Sequence, residues 1–238
     1  MTMSFVRAIV LGATAALLAG CGGGGDGGVV VSGSATVFPL QASYQARIKA
    51  GAVDIYRVSE GCDGTATTTA SPAMQAAFEG VAGFAVLQVV IANTTCLSGT
   101  VGKSITSFFD ANYAPLGSST PNGAYEKSLT LPKSFPVGVE IGNSEVLATL
   151  TEYANSTQAT VTGRSDISYV VERDTANTAN PANTAIVNVI SKDYNAAGDL
   201  LLTVQDRYRI SADGTLTSTT IDLQYSTTNT THLVLTKL

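Results

Sequence analysis

Tryptophan is absent from the 238 residues, histidine occurs once and cysteine three times. A single imidazole leaves little room for the acid–base relays that activate a serine or thiol nucleophile. Charged residues form only 13% of the chain, about half of the roughly 25% usual for a soluble domain. The 13 Lys+Arg are scattered against 18 Asp+Glu, for a net charge of -5. Phosphate backbones are held by clustered cations, so this pattern excludes nucleic acid as a partner. The apolar run at residues 8–18 is interrupted by Gly12 and Thr14, and it falls short of the roughly 20 residues that a spanning helix needs. In place of charge the chain carries 31 Thr and 21 Ser. That substitution of hydroxyl for charge predicts a β-rich extracytoplasmic protein.

Residues 1–20 have the order of a secretory signal: Arg7, the apolar run, then Ala19 and Gly20. The sequence Leu18-Ala19-Gly20-Cys21 that closes it resembles the lipobox of bacterial lipoproteins. That resemblance implies cleavage before Cys21 and acylation, palmitate included, of its thiol and new amino terminus. Each buried CH2 contributes about 0.8 kcal/mol, so two or three chains hold a protein on a membrane where one does not. Residues 21–34 then form the lipidated cysteine and a tether, because Gly22 to Gly28 is glycine except at Asp26 and has almost nothing to pack. A flexible chain of this length reaches roughly 20 Å. Gly22 after the cysteine, in the enterobacterial sorting pattern that this start resembles, implies the outer membrane, with the domain on its periplasmic or its outer surface. Residues 35–238 are expected to be a single β-rich domain. The stretches 61–66, 78–81 and 93–96 resemble β-rich lipoproteins of proteobacteria, a resemblance that carries no functional residues over.

Export places Cys62 and Cys96 where thiols oxidise, and with Cys21 acylated they are the remaining pair, so a disulfide is expected. Each follows the end of a predicted strand, at 53–61 and 84–93. A bridge between two such ends requires the strands to run the same way, with residues 65–79 returning between them.

Leu40, Tyr44 and Ile48, spaced by four and stopped by Gly51, predict one short helix at 39–50. Alternation predicts strands at 145–153, 159–173, 185–194, 199–211, 215–225 and 232–237. In 199–211, Leu200, Leu202, Val204, Asp206, Tyr208 and Ile210 share one face, opposite Arg207 and Arg209. Turns ending in Gly198 and Gly214 make the C-terminal third a meander. Residues 117–123 and 174–184 are expected to be polar loops at the rim. The predicted fold is all-β, an antiparallel sheet closed as a sandwich or as a half-open barrel, with the long C-terminal meander and one N-terminal helix.

Catalytic templates fail in turn. His232 alternates with Leu233 and Leu235 and belongs to an outward face. Gly102-Lys103-Ser104 lacks the first glycine of a phosphate loop, since position 97 is Leu97. Asp193-x-Asn195 opens like a calcium loop, but Ala197 and Val204 occupy ligand positions. No cofactor, metal or catalytic residue is therefore assigned. One cluster suits a sugar or peptide: Phe108, Phe109, Asp110, Asn112 and Tyr113, with Tyr125 nearby, since aromatic faces stack and polar edges bond. The leading expectation is a non-enzymatic, lipid-anchored structural or binding module of the cell envelope, with an envelope protein or a small molecule as partner. A carrier of an apolar ligand, in a half barrel lined by Leu200, Leu202, Ile221 and Leu223, is the second. An envelope hydrolase using carboxylates from among Glu140, Glu145, Glu152 and Asp166 is the third.

Overall fold

A computed structural model describes residues 36–96, 100–177, 182–226 and 232–238. The signal at 1–20, Cys21 and the tether to residue 34 lie outside the described residues, as does part of the 174–184 loop.

One helix, α1 (Leu40–Ala50), precedes thirteen strands: β1 (Ala52–Ser59), β2 (Gly64–Ala70), β3 (Met74–Phe78), β4 (Val81–Thr94), β5 (Thr100–Asp110), β6 (Pro115–Ser119), β7 (Tyr125–Ser128), β8 (Ser144–Tyr153), β9 (Val161–Arg173), β10 (Thr184–Asn195), β11 (Leu200–Ser211), β12 (Leu216–Tyr225) and β13 (His232–Lys237). The sheet runs β2-β1-β13-β12-β11-β10-β9-β8-β7-β6-β5-β4-β3, and β2 also pairs with β4. That last pairing closes twelve antiparallel strands into a barrel, with β3 continuing the line of β2 beside β4. The fold is all-β as expected. Closure is complete rather than half-open, and it leaves no edge among the twelve.

The predicted meander is present, with hairpins at Gly198 (φ 91°) and Gly214 (φ 89°). Residues 117–119, expected in a loop, instead form the end of β6, and only 120–124 turn. Strand β5 carries a weak sequence signal, because Gly102, Ser104 and Ser107 dilute the alternation that turns Ile105 and Phe109 inward. Strands from both sides of the Pro132–Pro136 segment join the one sheet.

The interior is packed. Ile167, Val171, Val187 and Ile210 are at most 1% exposed, each such aliphatic contributing about 1.5 to 3 kcal/mol. Tyr56, Val58, Leu202, Val204, Ile221, Leu223, Leu233 and Leu235 fill the other part of the lumen. No described helix is long and apolar enough to cross a membrane. The outward faces of β9 and β11 carry Arg164, Glu172, Arg207 and Arg209, all more than a third exposed, whereas those of β1 and β4 expose Val53, Ile55, Leu87 and Ile91.

Cys62 and Cys96 form a disulfide with Cα atoms 5.5 Å apart. As the spacing required, β2 runs antiparallel between β1 and β4, so those two strands share a direction. Asp63 and Thr95 reinforce the bridge through two hydrogen bonds of 2.8 and 3.0 Å.

Candidate functional site: a cavity beneath the helix

Helix α1 covers one mouth of the barrel. Phe38 bridges to Val139, the Gln41 amide donates to the Pro136 carbonyl, and the Ala73 amide donates to the Ile48 carbonyl. Leu40 is buried, while Tyr44 and Ile48 pack on the core below. Gly51 ends the helix at φ 72°, where a Cβ would stand 2.7 Å from the Ala70 carbonyl oxygen. The chain thereby turns straight from the lid into β1.

Between the C-terminal half of α1 and the core lies a cavity of about 70 Å³. Val86, Phe109, Val189 and Ile221 supply an apolar wall, and Arg47, Asp54, Tyr56, Gln88, Asp206 and Tyr208 a polar one. The alternation of β11 puts Asp206 inward, at a position where its neighbours Leu202, Val204 and Ile210 are core residues. Its Oδ2 accepts the Tyr208 hydroxyl, while Oδ1 has no hydrogen-bond partner. The residue is 5% exposed.

Burial dominates the electrostatics. It pushes the Asp206 carboxyl up to about 7, against the opposing pull of the Tyr208 hydroxyl and the Arg47 charge. Burial and the Asp206 charge both push the Tyr208 phenol well above its ordinary range. Asp54 behaves in the opposite sense. Burial disfavours its charge, but Lys237 (Nζ to Oδ1 2.5 Å) and Arg47 hold its carboxyl below the usual range. The Arg47 guanidinium also lies 5.2 Å from the centre of the Tyr208 ring. Both cations near the cavity are therefore hydrogen-bonded to Asp54, and Arg47 reaches Asp206 only through space. Across from β11, the Tyr56 hydroxyl is hydrogen-bonded to Ser218 at 2.8 Å.

The aromatic cluster expected from the sequence is divided between two faces. Phe109 points inward and lines the cavity. Phe108 and Tyr125 lie on the outer face, where Phe78 stacks on them at 4.4 and 5.3 Å. Asp110 organises its own turn by accepting the amides of Asn112 and Ala114, both at 2.8 Å. The Asn112 carbonyl accepts from Gln45 on α1. Tyr113 is buried, at φ 64°, and stacks on Phe84 at 4.8 Å. Glu79, which no sequence pattern singles out, receives Lys127, Tyr125 and Gln158 beside this outer cluster. Those donors pull its carboxyl down to about 2.

The carboxylates considered for hydrolysis are also dispersed. Glu145 pairs with Lys133 at 2.5 Å, Asp166 accepts from Thr149 at 2.9 Å on the outer face, and Glu140 sits in the turn before β8. Glu152 is 1% exposed inside the barrel, directly opposite Glu126 in register. His232 stands between Asp222 (2.8 Å) and Glu60 (2.7 Å), with Leu233 and Leu235 buried on the other face. Among the described residues no group of three or more His, Cys, Asp or Glu is placed to hold a metal ion.

Leu202 and Leu223, expected to line an apolar cavity, are packed into the core. Of that set Ile221 alone reaches the cavity beneath α1.

The chain matches no family model, no curated protein and no solved structure. What fold and site define is a closed antiparallel barrel with a helical lid over a cavity that contains a buried acid.

Proposed function

We propose that this protein is a lipid-anchored, non-enzymatic binding module of the cell envelope, held on the outer membrane through Cys21 and taking a small molecule into the cavity beneath α1. The observation that carries the binding role is Asp206. A carboxyl group placed among core residues with one oxygen unpartnered costs stability, and such a position is more useful to a ligand than to the fold. The mixed wall supports a small amphipathic ligand better than the purely apolar cargo of a half-barrel carrier. Anchoring is supported by the lipobox.

Replacing Cys21 by Ala tests the anchor. The expected outcome is loss of the protein from the membrane fraction into the soluble one. An unchanged membrane fraction contradicts the lipid anchor.

A further inference from the structure

We propose that the cavity beneath α1 selects a compact primary ammonium ion on a short aliphatic stem, with the Asp206 carboxylate as its counter-ion. The proposal rests on the small-ligand reading above and names the ligand's class.

Three observations converge on it. First, Asp206 has an acceptor oxygen without a donor and no basic side chain bonded to it. The nearby cations are committed elsewhere, Arg47 and Lys237 both to Asp54. Second, the Tyr56 and Phe109 side chains line the same space, and aromatic rings attract cations, most strongly where water is excluded; the Tyr208 ring already carries Arg47. Third, Val86, Val189 and Ile221 offer a wall for methylene groups. The volume of about 70 Å³ corresponds to a handful of water-sized spheres at about 10 to 15 Å³ each, so the stem must be short.

Charge settles the choice among ligand chemistries. The ionisable groups facing Asp206 are Tyr44 and Arg47 from α1, Asp54 and Tyr56 from β1, and Tyr208 from β11. Arg47 and Lys237 share Asp54, which leaves one positive charge in excess; Arg47 acts on Asp206 through space without bonding to it, and the tyrosines near Asp206 are held protonated. A carboxylate ligand would bring a second negative charge beside a buried acid. A neutral alcohol would satisfy the free oxygen but not pair with the buried charge, leaving it opposed only by Arg47 through space. An ammonium group does both, and by favouring the ionised acid it couples binding to loss of the Asp206 proton.

Titration calorimetry of the mature chain with propylammonium, propanol and propionate tests this. At about pH 8, propylammonium is expected to bind one to one and at least about tenfold more tightly than propanol, with no heat from propionate. Its affinity should fall about tenfold between pH 8 and pH 6 as Asp206 takes up its proton. Asp206→Asn should abolish both the preference and the pH dependence, with its fold checked by circular dichroism. The pH profile of the unaltered protein tests the same point without any variant. Absence of propylammonium binding, or affinity that is equal in Asp206→Asn and flat with pH, overturns the assignment. Tight binding of propanol or propionate instead overturns the ammonium class while sustaining a small-ligand cavity. No binding by any of the three probes, together with a protein that carries no ligand from its own membranes, overturns both readings.

Discussion

Asp206 is the residue at which fold and function conflict. Its folded-state value of about 7 lies above the ordinary carboxylate value of about 4, so the folded protein binds this proton more tightly than the unfolded chain does. The resulting stabilisation is complete below about pH 4, is lost as the pH rises to about 7, and is level above that. Asp206→Asn should flatten this decline and leave a protein at least as stable as the parent at about pH 8. Urea unfolding midpoints between pH 4 and 8 check it, and a parallel decline in the variant would show that another group is responsible. Gly163 illustrates a steric requirement: a Cβ there would stand 2.1 Å from the Tyr194 carbonyl oxygen and 3.0 Å from Glu152 Oε2. Gly163→Ala should therefore cost about 2 kcal/mol or more, read from the same unfolding curves. Alternation alone placed Asp206 in the inward series of its strand. Its importance was not legible there, because pattern gives a face but not the absence of a partner on that face.

Among the elements, the helix and the C-terminal hairpins were the most legible. Their signals are local: a stripe of Leu40, Tyr44 and Ile48 stopped by Gly51, and turns that need a glycine at positive φ. The proposed Phe108–Tyr113 cluster shows the limit. Consecutive strand residues face opposite ways, so Phe108 and Phe109 could not both join one site once β5 formed. What lies over Phe108 comes from the β3–β4 hairpin, some thirty residues earlier, and no local pattern announces it. The disulfide was legible for a different reason, since compartment and elimination left one pairing, and the pairing fixed the direction of β1 relative to β4. With a sequence separation of 34 between the cysteines, replacing both by Ser should lower stability by about 4 kcal/mol on the chain-entropy account. Guanidinium unfolding of the double variant measures this. A loss below about 1 kcal/mol would mean that the β2–β4 pairing holds the seam unaided.

For the whole molecule, the all-β class followed from composition and alternation, whereas closure did not. The step from an open sheet to a barrel depends on β2 reaching both β1 and β4 and on β1 reaching β13, contacts set by twist and register rather than by any segment's own pattern. Closure has consequences for function. It removes the edges of the twelve barrel strands, through which neighbouring copies could pair, and it leaves the helix-covered mouth as a place where a cavity adjoins polar groups. On the proposed reading, a filled barrel carries its binding site at one end and a lipid at Cys21. The most direct test is native mass spectrometry of the protein extracted from its own membranes in mild detergent. A chain that begins at Cys21, carries the mass of its acyl groups and retains a small additional non-covalent mass is the predicted result. A chain that begins at Met1 without acyl mass and holds nothing in its barrel would contradict it.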